Sequence, residues 1–139
     1  MSGKQFVDTN ILVYAHDRLA GPKHQRAQLL IDRLWESGGG VLSTQVLQEL
    51  CVNLRRRITQ PLPIAEVRQI IRDYATWDVV TNTAESVVQA LDIEARYRTS
   101  FWDAMILQAA EAAGAAILYS EDLSRNQKYG SVQVINPLL

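Results

Sequence analysis

Short apolar runs alternate with amphipathic helical stretches along the whole chain, and this alternation restricts the fold more than any other feature. Strands that are separated by helices pair in parallel, because parallel neighbours need a crossover connection. The pattern predicts an α/β fold: a three-layer α/β/α sandwich with a central, mainly parallel sheet of four to five strands. The predicted strands lie at residues 4–7, 41–42, 79–80, 115–119 and 132–135.

Helix boundaries between these strands follow from proline, glycine and capping residues. Pro22 predicts the start of a helix, and the glycine run 38–40 predicts its end. Asn82 and Glu85 form a capping pair that opens a later helix. The apolar residues expected to mark the packed side of that helix are Val87, Val88, Leu91 and Ala95.

The length of the chain, 139 residues, suits one compact domain and is too short for two ordinary ones. We therefore expect a single domain over residues 1–139. No apolar stretch is long enough to span a membrane, and no secretory signal is visible at the amino terminus. Cys51, the only cysteine, lies among apolar residues at helical spacing, which favours a small core residue over a catalytic thiol. These features indicate a cytoplasmic protein.

The net charge of −1 argues against a nucleic-acid partner, which usually needs a basic surface. The total conceals a segregation of charge. Four acids, Asp8, Glu49, Asp103 and Asp122, are candidates for a functional site. Without them, 11 of the 15 Asp and Glu remain against 14 Lys and Arg, so the rest of the chain has an excess of positive charge. The run 55–57 is the one dense basic segment. Its arginines suit the carboxyl end of a helix, and contact with phosphate is the alternative.

These four acids lie at junctions where an α/β sheet places its chemistry. Asp8 directly follows the first predicted strand, and Asp122 follows the run 115–119. Glu49 lies on the polar side of one predicted helix, and Asp103 lies in the first turn of another. Two carboxylates ~5 Å apart repel by about 3 kcal/mol at an effective dielectric near 20, so a cluster of four would protonate or hold cations. Oxygen ligands select Mg²⁺ or Mn²⁺.

Each acid also has a structural explanation when it is taken alone. A glutamate on a polar helix face, such as Glu49, is usually solvated. Asp103 completes a capping-box pattern that begins three residues earlier and would stabilise the helix by about 1 kcal/mol. Acids that follow strands are frequent turn residues, an alternative that applies to Asp8 with Asn10 and to Asp122.

Other metal or nucleotide sites are not indicated. His16 and His24 have no companion cysteine, which argues against zinc and favours surface histidines. The glycine run 38–40 lacks the Lys-Ser/Thr pair of a phosphate-binding loop and precedes a predicted strand.

Four segments carry a resemblance to a known family: Asp8-Thr9-Asn10, residues 43–49 ending in Glu49, Trp102-Asp103-Ala104, and residues 120–123. In order and spacing they resemble the PIN-domain ribonucleases, most closely the VapC-type toxins of type II toxin–antitoxin pairs. The resemblance runs from about residue 4 to residue 137. It implies that the four acids bind one or two Mg²⁺ or Mn²⁺ ions, whose bound water attacks an RNA phosphodiester.

The resemblance also implies supporting residues and partners. Thr9, Asn10 and Ser120 would orient the carboxylates or touch the substrate. The partners implied are RNA, a small antitoxin protein and a second copy of the chain in a homodimer. Basic residues near the predicted site would guide RNA toward it, and they are Arg18, Arg56, Arg98, Arg125 and Lys128.

Two other functions compete with this one. A phosphatase with a nucleophilic aspartate at position 8 would carry a second Asp where the chain has Asn10, and a receiver domain would carry an acidic pair at residues 6–7. A non-catalytic interaction module of the same fold is the other alternative. The four acids argue against such a module, and a titration with Mn²⁺ distinguishes it from a nuclease.

Overall fold

The structure, a computed structural model, describes residues 3–123 and 127–139. Within these residues helices and strands alternate along most of the chain, as the sequence predicts. Their order is β1 (Gln5–Val7), α1 (Thr9–His16), α2 (Pro22–Ser37), β2 (Gly40–Ser43), α3 (Thr44–Arg56), α4 (Ile64–Tyr74), β3 (Asp78–Val80), α5 (Ala84–Tyr97), α6 (Phe101–Ala112), β4 (Ile117–Tyr119), β5 (Lys128–Tyr129) and β6 (Val132–Ile135).

The strands form one sheet in the order β3-β2-β1-β4-β6-β5. Every pair of neighbours is parallel except β5 and β6, which are antiparallel. Helices flank the sheet, so the predicted sandwich with a mainly parallel sheet is confirmed. The prediction of four to five strands omitted β5, because a two-residue strand leaves no apolar run in the sequence.

Helix α6 is the central helix of the fold. Residues 104–110 are all buried, and α6 contacts β2, β4, β6 and α5. A helix that is apolar on every side is normally enclosed by other elements. The sheet contributes Phe6, Val41, Leu42 and Leu118 to the same core, each with at most 1% of its surface exposed. The core therefore fixes α6 and the strand ends that it faces relative to one another.

The predicted boundaries of α2 agree with the structure for the expected physical reasons. Pro22 is the first helical residue, and Gly38 ends the helix in the left-handed conformation with φ 73°. Gly40 then opens β2 directly under the Trp77 ring, where an added Cβ would lie 2.4 Å from ring atoms. The glycine run is thus a helix terminator and a packing site, and β2 follows it at once.

The prediction for α5 was wrong in two respects. Thr83 and Ser86, rather than Asn82 and Glu85, form the reciprocal capping box. Asn82 instead accepts hydrogen bonds from Thr44 Oγ1 at 2.9 Å and from the Gln45 amide at 3.1 Å, so it caps α3. An asparagine next to a helix start caps whichever helix its side chain reaches, and the sequence alone does not give that direction.

The apolar residues that were expected to mark the packed side of α5 are instead exposed. Val87, Val88 and Leu91 have 39%, 52% and 52% of their surface exposed. The buried cluster between α5 and α6 is built from Ala90 and small or flexible residues of α6. Because Ala90 has a short side chain, α5 approaches α6 closely along that side, and the larger valines and leucine face outward.

His16 and His24 are partly buried, which corrects the prediction of surface histidines. His16 Nε2 lies 2.8 Å from the Tyr74 hydroxyl, and His24 Nδ1 lies 2.9 Å from the Tyr14 carbonyl oxygen. Burial lowers the pKa of His16, so its neutral form is favoured. Both imidazoles therefore tie α1 to its neighbours.

Among the described residues, no helix is long and apolar enough to cross a membrane.

Candidate active site

The site begins where the order of strands in the sheet reverses, between β1 and β4. These strands pair in parallel with Val7 opposite Tyr119, so Asp8 and Ser120 are adjacent where both strands end. Ligand sites of open α/β sheets lie at such a reversal, outside the carboxyl ends of the strands. The topology therefore brings Asp8 and Ser120 to the position where a parallel sheet most often places a functional group.

Two hydrogen bonds fix the Asp8 carboxylate. The backbone N–H of Thr9 donates to Oδ1 at 2.7 Å, and the hydroxyl of Ser120 donates to Oδ2 at 2.8 Å. Asp8 is also the N-cap of α1, and only 6% of its surface is exposed. Its side chain is therefore held rigidly at the start of a helix, whose dipole favours a negative charge there.

Burial nevertheless raises the pKa of Asp8 from 3.8 to about 7. The bonds from Ser120 and Thr9 oppose this rise, and the nearby carboxylates of Asp122 and Asp103 add to it. Within residues 3–123 and 127–139, no cation offsets the desolvation of Asp8. A carboxylate with this environment is a candidate ligand for a cation, because a cation would remove the cost of its charge.

Glu49 reaches the same place from the second turn of α3. The Thr9 hydroxyl donates to its Oε1 at 2.6 Å, and Gln45 Nε2 lies 3.4 Å from its Oε2. Glu49 is therefore held by two side chains and is not the freely solvated glutamate that a polar helix face usually carries. Thr9 links the two acids directly, since its amide contacts Asp8 and its hydroxyl contacts Glu49.

Asp103 and Asp122 complete the acidic group. The Ser100 hydroxyl accepts a hydrogen bond from the Asp103 amide at 3.1 Å and caps α6, while the Asp103 side chain lines the cleft described below. The predicted cap therefore forms through the backbone of Asp103. Burial, Asp103 and Glu121 together raise the pKa of Asp122, and Asn10 partly opposes them. Asp103 and Asp122 therefore influence each other electrostatically.

Glu121, the neighbour of Asp122, has its charge neutralised by other residues. Its carboxylate accepts hydrogen bonds from the Tyr14 hydroxyl at 2.8 Å and from the Lys23 ammonium group. Burial raises the pKa of Glu121, but these two partners outweigh burial, and the pKa is lowered overall. Glu121 is thus held by a protein cation, whereas no described residue supplies a cation to Asp8 or Asp122.

An open cleft of about 650 Å³ contains the four acids. The structure brings together in its lining Asp8, Thr9, Asn10, Glu49, Asp103 and Asp122, all predicted from the sequence. Ser120 lies behind Asp8 and is fully buried. The remaining lining residues are Val13, Tyr14, Gln45, Gln48, Val52, Asn53, Arg57, Trp102 and Ile106.

The donor set of the cleft suits a hard divalent cation. The acids offer only oxygen ligands. Both polar atoms of the Asn10 side chain are buried and find no hydrogen-bond partner in the part of the chain that the structure describes. Asn10 lies close enough to lower the pKa of Asp122, yet their contact does not meet the geometry of a hydrogen bond. Among the described residues, no three acids are close enough for a ready-made cage. Mg²⁺ does not require one, since it commonly uses one or two carboxylates with waters and a substrate phosphate.

Four of the five cations predicted to guide RNA are described by the structure, and these four lie outside the lining of this cleft. Arg18 lines a second cavity of about 430 Å³ beside α1 and α2, and Arg98 ends α5 in the left-handed conformation. Arg56 and Lys128 are exposed on α3 and β5, and Arg125 lies outside the described residues. Their contact with RNA stays a prediction.

The sequence interpretation missed several residues of the cleft. Arg57 is the one Lys or Arg in the described lining, and Trp102 has 62% of its surface exposed there. Asn53 donates from Nδ2 to the Glu49 carbonyl oxygen at 2.7 Å and stabilises the turn that carries Glu49. Glu49, Asn53 and Arg57 follow one another at intervals of four residues, which places them on one side of α3. This spacing is the sequence signal that could have identified the side of α3 that faces the site.

Solved structures of several toxins resemble this fold. The toxin VapC20 of Mycobacterium tuberculosis, described as cleaving the sarcin-ricin loop, is 27% identical with a TM-score of 0.66 over 86% of this chain and 90% of its own. A toxin–antitoxin complex from Klebsiella pneumoniae is 16% identical, with a TM-score of 0.71 over 96% and 98%. DNA-bound VapBC from Salmonella typhimurium is 14% identical, with a TM-score of 0.62 over 94% and 96%.

The last two similarities concern the fold alone, because their identity is low. Functionally curated proteins give no sequence match. The sequence profile of the PIN domain matches residues 6–128, which include Asp8, Glu49, Asp103 and Asp122. This match covers most of the 139 residues. The chain therefore belongs to the PIN-domain family.

Proposed function

We propose that this protein is an endoribonuclease, the toxin of a toxin–antitoxin pair, and that it hydrolyses RNA phosphodiester bonds with Mg²⁺ or Mn²⁺. The observation that carries the proposal is the buried Asp8 carboxylate beside Asp103 and Asp122, with no balancing cation among the residues that the structure describes. The likeness to VapC20, described as a toxin that cleaves the sarcin-ricin loop, supports RNA as the substrate.

Asp8 and Asp103 would hold the ion, with Asp122 and Glu49 joining directly or through waters. When bound, a divalent ion lowers the pKa of a water and neutralises charge on the attacking and leaving oxygens. Its chemistry matches the cleft because the available donors are carboxylate and amide oxygens.

The chain's own residues would position the acids and manage the proton. Thr9 holds Oε1 of Glu49 by its hydroxyl, which fixes the direction in which Glu49 can accept a proton from the attacking water. Ser120 prevents Asp8 from turning away from the cleft. The water oxygen bonds to phosphorus, the bond from phosphorus to the 3′-oxygen breaks, and the products carry a 5′-phosphate and a 3′-hydroxyl.

The proposed partners follow from the toxin function. An antitoxin protein would bind this chain, since solved structures of the same fold are toxin–antitoxin complexes, and we expect it to cover the cleft. A homodimer is the oligomeric state that the family resemblance implies. Light scattering of the purified chain, alone and after addition of its antitoxin, measures both assemblies.

The proposed activity is tested by incubating purified protein with RNA in Mn²⁺, in Mg²⁺ and in a chelator, and by sequencing the ends of the products. We expect cleavage only with metal, and 5′-phosphate ends. Asp8→Asn and Asp103→Asn should reduce cleavage by at least about a hundredfold while the protein stays folded.

Asp92→Asn is the matched control, because Asp92 is an exposed acid of α5 outside the cleft. It should cleave at the wild-type rate. Cleavage that continues in chelator, or that produces 5′-hydroxyl ends, would contradict metal-assisted attack by water. A folded protein that neither binds Mn²⁺ nor cleaves RNA would support the interaction module instead.

A further inference from the structure

We infer that Trp102 stacks on an unpaired RNA base beside the scissile phosphate. The inference rests on the proposed ribonuclease function. Trp102 directly precedes Asp103 and lines the same cleft as the four acids. A base that contacts its indole would thus belong to a nucleotide at or next to the phosphate being cleaved.

The exposure of Trp102 requires an explanation. Large aromatic side chains are usually buried, because removing their surface from water stabilises the fold. Trp102 keeps 62% of its surface exposed, and the first turn of α6 carries it into the lining of the cleft that holds the four acids. An exposed aromatic surface in a binding cleft indicates contact with a ligand that has a flat apolar face.

Trp102 is well supported as a stacking surface. Its ring meets the Phe101 ring edge to face, with 5.2 Å between centroids and 72° between planes. Gln45 Nε2 lies 3.4 Å from its carbonyl oxygen and 3.4 Å from Glu49 Oε2. Gln45 is itself buried and thereby connects the backbone of Trp102 to a proposed site acid. The tryptophan is thus fixed relative to the acids.

Arg57 gives the cleft its contact for the RNA backbone. It is the one Lys or Arg of the described cleft lining, and a guanidinium binds phosphate oxygens well. A cation for the backbone together with an aromatic surface for a base is the combination used by proteins that bind single strands. In a duplex the bases are stacked on their neighbours, so neither face is available to Trp102.

The test measures cleavage of a short single-stranded RNA by wild type, Trp102→Leu and Trp102→Phe. Loss of one stacked base should raise KM about tenfold to a hundredfold for Trp102→Leu, with kcat within about twofold. Trp102→Phe should keep most of the wild-type affinity that Trp102→Leu loses, because a phenyl ring also stacks on a base. Trp35→Leu is the matched control, since Trp35 is 42% exposed on α2 and is absent from the cleft lining.

An abasic RNA identifies the contact itself. One base at a time is removed on either side of the scissile bond, and binding is measured with the cleavage-deficient Asp8→Asn protein. Removing the base that contacts Trp102 should weaken binding by the same factor as Trp102→Leu. The two changes together should weaken it no further, because they delete the same contact. Full additivity at every position would overturn the inference.

Other outcomes separate this inference from the proposed function. If wild type does not cleave any RNA with Mn²⁺, the proposed function fails. If wild type cleaves but Trp102→Leu has an unchanged KM, or if a blunt duplex is cleaved as well as the single strand, only the inference fails. If Trp102→Leu weakens antitoxin binding and leaves RNA binding intact, Trp102 serves a protein partner and the assignment to RNA is wrong.

Discussion

Asp8 combines a fixed position with an unfavourable charge. Two hydrogen bonds hold its oxygens, yet burial and two neighbouring acids raise its pKa to about 7. Glu121, which directly follows the Ser120 that binds Asp8, shows the contrasting situation, since Lys23 and Tyr14 lower its pKa. At the scale of single residues, Asp8 and Asp122 differ from Glu121 in having no cationic partner in the described part of the chain.

The raised pKa of Asp8 predicts how stability depends on pH without metal. A carboxyl that binds its proton more tightly in the folded state than in the unfolded chain destabilises the fold progressively as the pH rises from about 4 to about 7. Asp8→Asn removes this pH-dependent loss of stability, because an asparagine side chain does not ionise. Between about pH 5 and about pH 8, we expect the mutant to gain up to roughly 3 kcal/mol relative to wild type in urea unfolding with chelator.

Asp92→Asn is again the control and should show a constant difference from wild type across this range. If the unfolding free energy of Asp8→Asn also differed from that of wild type by the same amount at every pH, Asp8 would already be ionised at the low end of the range. Mn²⁺ should reduce the advantage of Asp8→Asn at about pH 8, because the ion binds wild type more tightly and therefore stabilises it more.

Thr9 provides a second prediction at the residue scale. Thr9→Val keeps the shape of the side chain but removes the hydroxyl that holds Glu49 at 2.6 Å. We expect kcat for RNA cleavage to fall about tenfold to a hundredfold, as is typical when a group that orients a metal-site carboxylate is lost. Unfolding free energy should change by less than about 1 kcal/mol, because Glu49 remains partly solvated.

Thr81→Val serves as its control, since Thr81 is exposed and lies outside the cleft. If Thr9→Val left kcat unchanged, the orientation of Glu49 would have no part in the reaction.

At the scale of elements, the sheet and α3 position the site through a contact that the sequence did not indicate. Asn82 follows β3 and caps α3, which carries Glu49, Asn53 and Arg57 into the cleft. Ser43 caps the same helix by accepting a hydrogen bond from the Val46 amide at 3.3 Å. The start of α3 is thus fixed from two directions, by its own strand and by the neighbouring one.

Asn82→Ala should therefore destabilise the protein by about 1–2 kcal/mol, because two donors at the start of α3 lose their acceptor. Urea unfolding measures the change. Asn82→Asp keeps the acceptor and adds a charge that the helix dipole favours, so it should be more stable than Asn82→Ala. Equal stability of the two variants would show that the cap contributes nothing.

Several elements could be predicted because local chemistry determines them. Buried strands appear as apolar runs, and Pro22 and Gly38 delimit α2 by their backbone preferences. The exposed side of α5 could not be predicted, since it depends on how closely Ala90 lets α5 approach α6. The four acids were identifiable from their junctions. Arg57 was missed although its helical spacing from Glu49 indicates the same side of α3. Trp102 was not identifiable, because only the folded chain shows that its side chain borders the cleft.

At the scale of the whole molecule, strand order explains why distant residues meet. Strands β2 and β4 lie on opposite sides of β1. The segments that follow these two strands therefore approach the carboxyl end of β1 from opposite sides. Residues near positions 8, 49, 103 and 122 thereby converge on one cleft. The net charge of −1 is not evidence against RNA binding, because part of the negative charge is concentrated where a divalent cation would neutralise it.

Calorimetric titration of the metal-free protein with Mn²⁺ tests this convergence most directly. We predict saturable binding to wild type and to Asp92→Asn, and a loss of affinity of at least about tenfold in both Asp8→Asn and Asp103→Asn. Circular dichroism on the same samples establishes that each variant is folded. Absence of binding to folded wild type, or equal affinity in all four proteins, would contradict a metal site built from these acids.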